Sequence, residues 1–190
     1  MVVQTNRLTA DEFERFVKLP ENADKRLEYI AGEVCALVSN NYSSLVAANI
    51  LFFIQLYLRE SGTQGYVTGA DGGYVVAGDR YMPDVAFVSK VKQPEPSHET
   101  WNPNAPDLAV EVLSPTDAPD DVRIKVITYL SAGTIVWLVN PEKKRVEVYT
   151  PGPQVDTVEQ DEALDGGAIL PEFRLAVKDI YPDEPKTGAD

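Results

Sequence analysis

The stretch Asp107-Leu-Ala-Val-Glu-Val-Leu-Ser-Pro115 constrains this chain more than any other. Ala109, Val110, Val112 and Leu113 form a short apolar run bounded by Pro106 and Pro115, the pattern of an interior strand. Glu111 stands inside that run. A charged side chain in such a place is costly unless it is paired or holds a cation. The fold therefore has to bring Glu111 a partner.

Two further elements offer one. Pro83-Asp-Val-Ala-Phe-Val88 is a second strand-like run that opens with Asp84, and a helix-like run beginning near Pro119 carries Lys125. Asp, Glu and Lys from three neighbouring elements are the parts of a metal-dependent phosphodiesterase. Magnesium prefers oxygen ligands and is commonly held by one or two carboxylates with waters. It acts as Lewis acid and template, while a lysine positions the attacking water or stabilises developing charge. Asp84 and Glu111 supply the metal ligands if their strands are adjacent. Lys125 joins them if its helix packs back over the same sheet end. Glu28 adds a further carboxylate from an early hairpin; Glu33, across the turn, is its rival. Glu28 is favoured because it lies beside Leu27 and Ile30, before the turn.

Plainer readings compete. Pro-Asp recurs at 83–84, 106–107, 119–120 and 182–183, so the dipeptide alone carries no information. Asp107 shares a strand face with Glu111, but four residues of strand separate them by roughly 13 Å. That is too far for one small cation, and Asp107 reads as a strand-edge or turn residue. Lys125 could simply pair with Asp121 on the helix surface, a contact worth a few tenths of a kcal/mol. Ser114 lacks a nucleophile-elbow motif, and with one histidine, His98, in a proline-rich loop, a hydrolytic triad is not supported. No glycine pattern indicates a dinucleotide or nucleoside-triphosphate site. Trp137 reads as core, Trp101 as a residue able to stack on bases, and Cys35 as a buried structural thiol.

The 190 residues read as one domain, with a core at about 8–181 and a flexible acidic C-terminal tail. Thr9 with Glu12 marks a helix start, and Arg26–Val38 reads as a hairpin turning at Ala31-Gly32. Ser43–Glu60 is a strongly apolar helix, and Asn49 and Gln55 interrupt it. It reads as a core helix and subunit contact, not a membrane anchor, and makes a homodimer the expected assembly. Short strands around Gly65–Thr68 and Gly73–Ala77 read as a hairpin across Asp71-Gly-Gly73. The Glu111 strand leads into a helix of about 120–132, then an antiparallel pair, Ile135–Val139 with Arg145–Tyr149, and a last strand near Phe173–Val177. A mixed central sheet with flanking helices follows, an α/β fold. One cysteine and no basic-then-apolar start give a cytoplasmic expectation. The net charge of −13 argues against tight non-specific DNA binding.

The ordered motifs resemble the Uma-type family of putative restriction endonucleases, within the PD-(D/E)XK superfamily. Those motifs are Leu27-Glu-Tyr-Ile-Ala-Gly-Glu33, the long helix, Pro83–Val88, Pro106–Pro115, Lys125 with Tyr129, and Ala132–Pro141. The resemblance covers roughly residues 8 to 181 and implies a restriction-endonuclease-like fold with a divalent-metal site at one sheet end. It implies Asp84 and Glu111 as metal ligands and Lys125 as the catalytic lysine, displaced onto the next helix because Leu113 occupies the usual position. Glu28 matches the family's early acidic residue. Asn41-Tyr-Ser-Ser44 stands where many relatives begin the long helix with histidine, and Asn140 replaces a common aspartate.

Three functions follow as expectations. The first is magnesium-dependent hydrolysis of DNA phosphodiesters, with manganese as a substitute, abolished by Asp84→Ala or Lys125→Ala with the fold intact. The second is a catalytically inactive relative that serves as a binding or oligomeric scaffold, a reading motivated by the acidic composition. A third keeps the metal site but directs it at another phosphoester.

Overall fold

A computed structural model of the chain describes residues 7–152 and 154–182. The acidic tail residues Asp183, Glu184 and Asp190 lie outside the described residues. The chain opens with α1 (Ala10–Val17), where Thr9 and Glu12 form a reciprocal capping box. Next come β1 (Leu27–Ile30) and β2 (Glu33–Ala36), paired around Ala31-Gly32 as the hairpin reading requires. The long helix α2 (Asn41–Ser61) is capped by Asn40, whose side chain accepts from Ser43 N, and it ends at Gly62 in a left-handed conformation.

β3 (Gly65–Gly69), β4 (Gly73–Val76), β5 (Asp79–Tyr81), β6 (Val85–Ser89) and β7 (Trp101–Asn102) follow. β8 (Leu108–Val112) then leads into α3 (Pro119–Ser131), with Pro119 in its first turn, and α3 into β9 (Ile135–Asn140). β10 (Arg145–Tyr149), β11 (Val155–Val158), β12 (Ala163–Asp165) and β13 (Arg174–Ala176) complete the strands.

A six-stranded sheet runs β11-β10-β9-β8-β6-β3. It is mixed: β8 and β9 are parallel, joined through α3, while β6 runs antiparallel to β8. A second, five-stranded sheet runs β2-β1-β5-β4-β7. One face of the larger sheet buries Val85, Phe87, Val110 and Trp137 against Val46, Ile50, Ile54 and Leu58 of α2. The other face buries Ala86, Ala109 and Val136 against Val126 and Tyr129 of α3 and Tyr81 of the smaller sheet. Strand alternation thus divides neighbours along β8 between two cores.

One expected pairing fails. β3 and β4 do not form a hairpin: β3 pairs with β6, whereas β4 pairs with β5 and β7 in the other sheet. The Asp71-Gly-Gly73 turn carries the chain between sheets. Trp101 is also not free to stack on bases; its ring packs against Phe13 with centroids 5.8 Å apart.

Candidate active site

The β6–β8 register sets Val85 opposite Val110 and Ala86 opposite Ala109, and one further step sets Asp84 opposite Glu111. Opposite residues share a face, here the face covered by α3. Asp84 is held at the strand entrance because its Oδ2 accepts a hydrogen bond from Val112 N at 2.8 Å. Glu111 is the outward step of a strand whose neighbours Val110 and Val112 both point into the α2 core.

α3 supplies the answering groups. Lys125 and Tyr129, four residues apart, lie on one helix face. Lys125 Nζ donates to Glu111 Oε2 at 2.8 Å and to both carboxylate oxygens of Glu28 at 3.0 Å. Tyr129 OH donates to Glu111 Oε1 at 3.0 Å. Glu28, on β1, has a side chain only 1% exposed and also accepts from Met82 N at 2.6 Å. The Lys125 ammonium lies 5.5 Å from the centre of the Tyr81 ring, which stands edge-on to Tyr129. Tyr81 OH in turn donates to Asp79 Oδ2, which also accepts from Ala31 N.

Asp84, Glu111, Lys125 and Glu28 therefore meet, and they line one cavity of about 160 Å³ together with Arg26 and Asp121. The alternatives fall away from it. Glu33 is exposed and sits 4.0 Å from Arg7. Asp107 accepts from Ser89 N and pairs with Lys92, a strand-edge role. Lys125 does not pair with Asp121; that carboxylate instead accepts from the Cys35 thiol at 3.9 Å. His98 is exposed in its loop. Ser114 closes a turn with Asp117.

Cys35 departs from expectation: it is half-buried and lines the cavity, because it lies across the β1–β2 ladder from Glu28. Burial and the carboxylates of Asp121, Glu28 and Glu33 push its thiol up to about 11, so it stays protonated. Tyr129, Tyr81 and Arg26 had no assigned part in the site. Tyr129 was within reach of sequence reasoning, since it follows Lys125 by one helical turn; the Tyr81 contact depends on how two sheets pack.

The electrostatics are those of a crowded carboxylate site. Burial raises the Glu111 carboxyl most, Lys125 pulls against it, Glu28 and Asp84 add to the rise, and the net value is about 8. Burial also raises Asp84, opposed by the Val112 N–H and Lys125. For Lys125, burial alone would lower the ammonium; Glu111 and Glu28 outweigh it, and the net shift is upward. A permanently charged ammonium is thus held among carboxylates of which two resist ionisation.

A small hard cation fits this donor set. Asp84 and Glu111 present carboxylate oxygens from adjacent strands, and added positive charge would offset the burial penalty that raises both. Among the described residues no group of three or more acidic, histidine or cysteine side chains stands ready to hold a metal.

The family model Uma2, described as a putative restriction endonuclease, matches residues 13–178. Among solved structures, the chain is similar to the crystal structure of "a putative nuclease belonging to DUF820 from Anabaena variabilis ATCC 29413". The TM-score is 0.78 at 23% identity, with 91% of this chain and 97% of that chain covered. At that identity the likeness speaks for the fold, which is the restriction-endonuclease-like arrangement of a mixed sheet with flanking helices. No curated protein matches.

Proposed function

The chain belongs to the Uma2 family of putative restriction endonucleases, and from that premise we propose that it is a magnesium-dependent endonuclease hydrolysing DNA phosphodiester bonds. The observation that carries this reading is the meeting of Asp84, Glu111 and Glu28 around the buried Lys125 ammonium in one cavity at a sheet end.

Asp84 and Glu111 would hold the metal. Magnesium, or manganese in its place, would supply Lewis-acid polarisation of a phosphate oxygen and an activated water when bound. The chain's own groups do the rest. Tyr129 fixes the orientation of Glu111, and the Val112 N–H fixes that of Asp84. Glu28 keeps Lys125 protonated and aimed into the cavity, where its positive charge can stabilise the phosphorane-like charge that builds as the water oxygen bonds to phosphorus and the ester oxygen leaves. Arg26 is the other cation on the cavity wall, suited to a flanking phosphate. With a net charge of −13, the chain offers little sequence-independent attraction to DNA, so contacts at the site itself have to carry much of the binding. The single free cysteine suits a cytoplasmic setting.

The same charge favours a second reading, a catalytically inactive nuclease-fold module that binds a partner. Incubation of supercoiled and linear DNA with protein and magnesium or manganese separates the two. The endonuclease reading expects nicking that chelator stops and Asp84→Asn abolishes. Cleavage that survives Asp84→Asn, or the absence of cleavage of any DNA or RNA with either metal, would overturn it.

A further inference from the structure

The outer face of α2 carries an apolar stripe that the other described residues leave uncovered. Leu45 is 44%, Phe52 57% and Leu56 37% exposed, while Val46, Ile50, Ile54 and Leu58 on the opposite side are buried against the sheet. With the exposed Ala48, the stripe follows spacings of three and four residues, the pattern of a helix–helix seam. No charged residue occurs between Asn41 and Leu58, in a chain that is 25% charged overall. Toward the N-terminal end, Tyr42, three residues before Leu45 on the helix, is 41% exposed and extends the stripe.

We propose that this face is the contact for a second copy of the chain, formed by antiparallel apposition of α2 with the partner's α2 across a two-fold axis. Charge selects the occupant. Two chains of net charge −13 repel wherever their acidic surfaces meet, and they approach at least cost across a face without charge. A nucleic acid finds no cation there, and a basic partner no carboxylate. An apolar stripe is complementary to itself, which is what an isologous two-fold contact requires. The inward residues of α2 are committed to the sheet, so the helix offers a second copy only this one side.

Area sets the strength. Twenty-one residues span about 31 Å, and a seam roughly 10 Å wide gives about 300 Å² per copy. That is well short of the ~800 Å² per partner of a standard tight complex. The contact is therefore that of a weak, reversible dimer. Because like charges oppose it, added salt tightens it by screening them.

The inference stands apart from cleavage, since Leu45 and Phe52 do not line the cavity. The test is sedimentation velocity of the full chain from about 5 to 200 µM, at low and at high salt. The expected result is a weight-average mass that climbs from monomer toward dimer with concentration and climbs earlier at high salt. Phe52→Glu and Leu45→Glu, each with an unchanged circular dichroism spectrum, should weaken the association at least about tenfold. A wild-type chain that stays monomeric throughout, or a dimer that both substitutions leave intact, would overturn the proposal. So would co-flotation with neutral phosphatidylcholine vesicles without dimerisation, which would assign the stripe to a lipid surface.

Discussion

Lys125 Nζ stands 3.0 Å from each carboxylate oxygen of Glu28, a residue 97 positions earlier in the chain. The contact ties the first hairpin to the helix that follows β8, and Glu111 completes it from the sheet between them. One ammonium therefore fixes three elements at the point where a cation and a phosphate would meet.

Removing that ammonium should cost more than activity. Lys125→Met leaves two buried carboxylates without their cation and is expected to lower the unfolding free energy by about 3–5 kcal/mol. Adding Glu28→Gln to Lys125→Met should restore at least about 1 kcal/mol, the signature of coupled groups. Urea unfolding in chelator measures both. The burial of Lys125 thus revises the expectation that alanine there leaves the fold intact. Strictly additive losses would contradict the account.

Asp84→Asn is the cleaner probe of the metal. Asparagine keeps an acceptor for the Val112 N–H and removes a carboxylate that burial already disfavours. Stability without metal should hold or rise, while magnesium affinity by calorimetry falls on the order of tenfold or more. Unchanged affinity would remove Asp84 from the ligand set.

Tyr129→Phe deletes one hydroxyl and leaves Glu111 Oε1 without that donor. The expected loss is about 1–3 kcal/mol of stability, with weaker magnesium binding because Glu111 is no longer held. If the variant unfolds at the wild-type urea midpoint, the hydroxyl is not supporting Glu111.

The raised Glu111 carboxyl makes a signed prediction. Its folded value, about 8, lies above the ordinary 4.5, so between those values the folded chain holds a proton that the unfolded chain has released. Metal-free stability should fall as pH rises through that window and level off above it. Magnesium displaces the same proton, so its affinity should rise over the same range. Glu111→Gln should flatten both slopes; identical slopes in wild type and variant would place the titration elsewhere.

Much of this was legible before any coordinates. Glu111 stood out as a charge in an apolar strand, and Asp84 and Lys125 were its candidate partners on condition that their strand and helix met it, with their roles implied by the family resemblance. The choice of Glu28 over Glu33 rested on weaker ground; the structure places Glu28 buried beside Lys125 and Glu33 in solvent. What local pattern could not carry was the partition of strands between two sheets. A glycine turn after Gly69 reads the same whether the chain folds back or crosses over, and three-residue β5 and two-residue β7 are too short for periodicity to register. The exposure of Cys35 and the Tyr81 ring beside Lys125 follow from that sheet packing, so they were hidden with it.

The most direct test of the site is a crystal of the full chain soaked in manganese and measured at an anomalous wavelength. The account predicts a peak bonded by carboxylate oxygens of Asp84 and Glu111, with Lys125 still in the same cavity. A manganese ion bound elsewhere, or none at a concentration that supports cleavage, would contradict it.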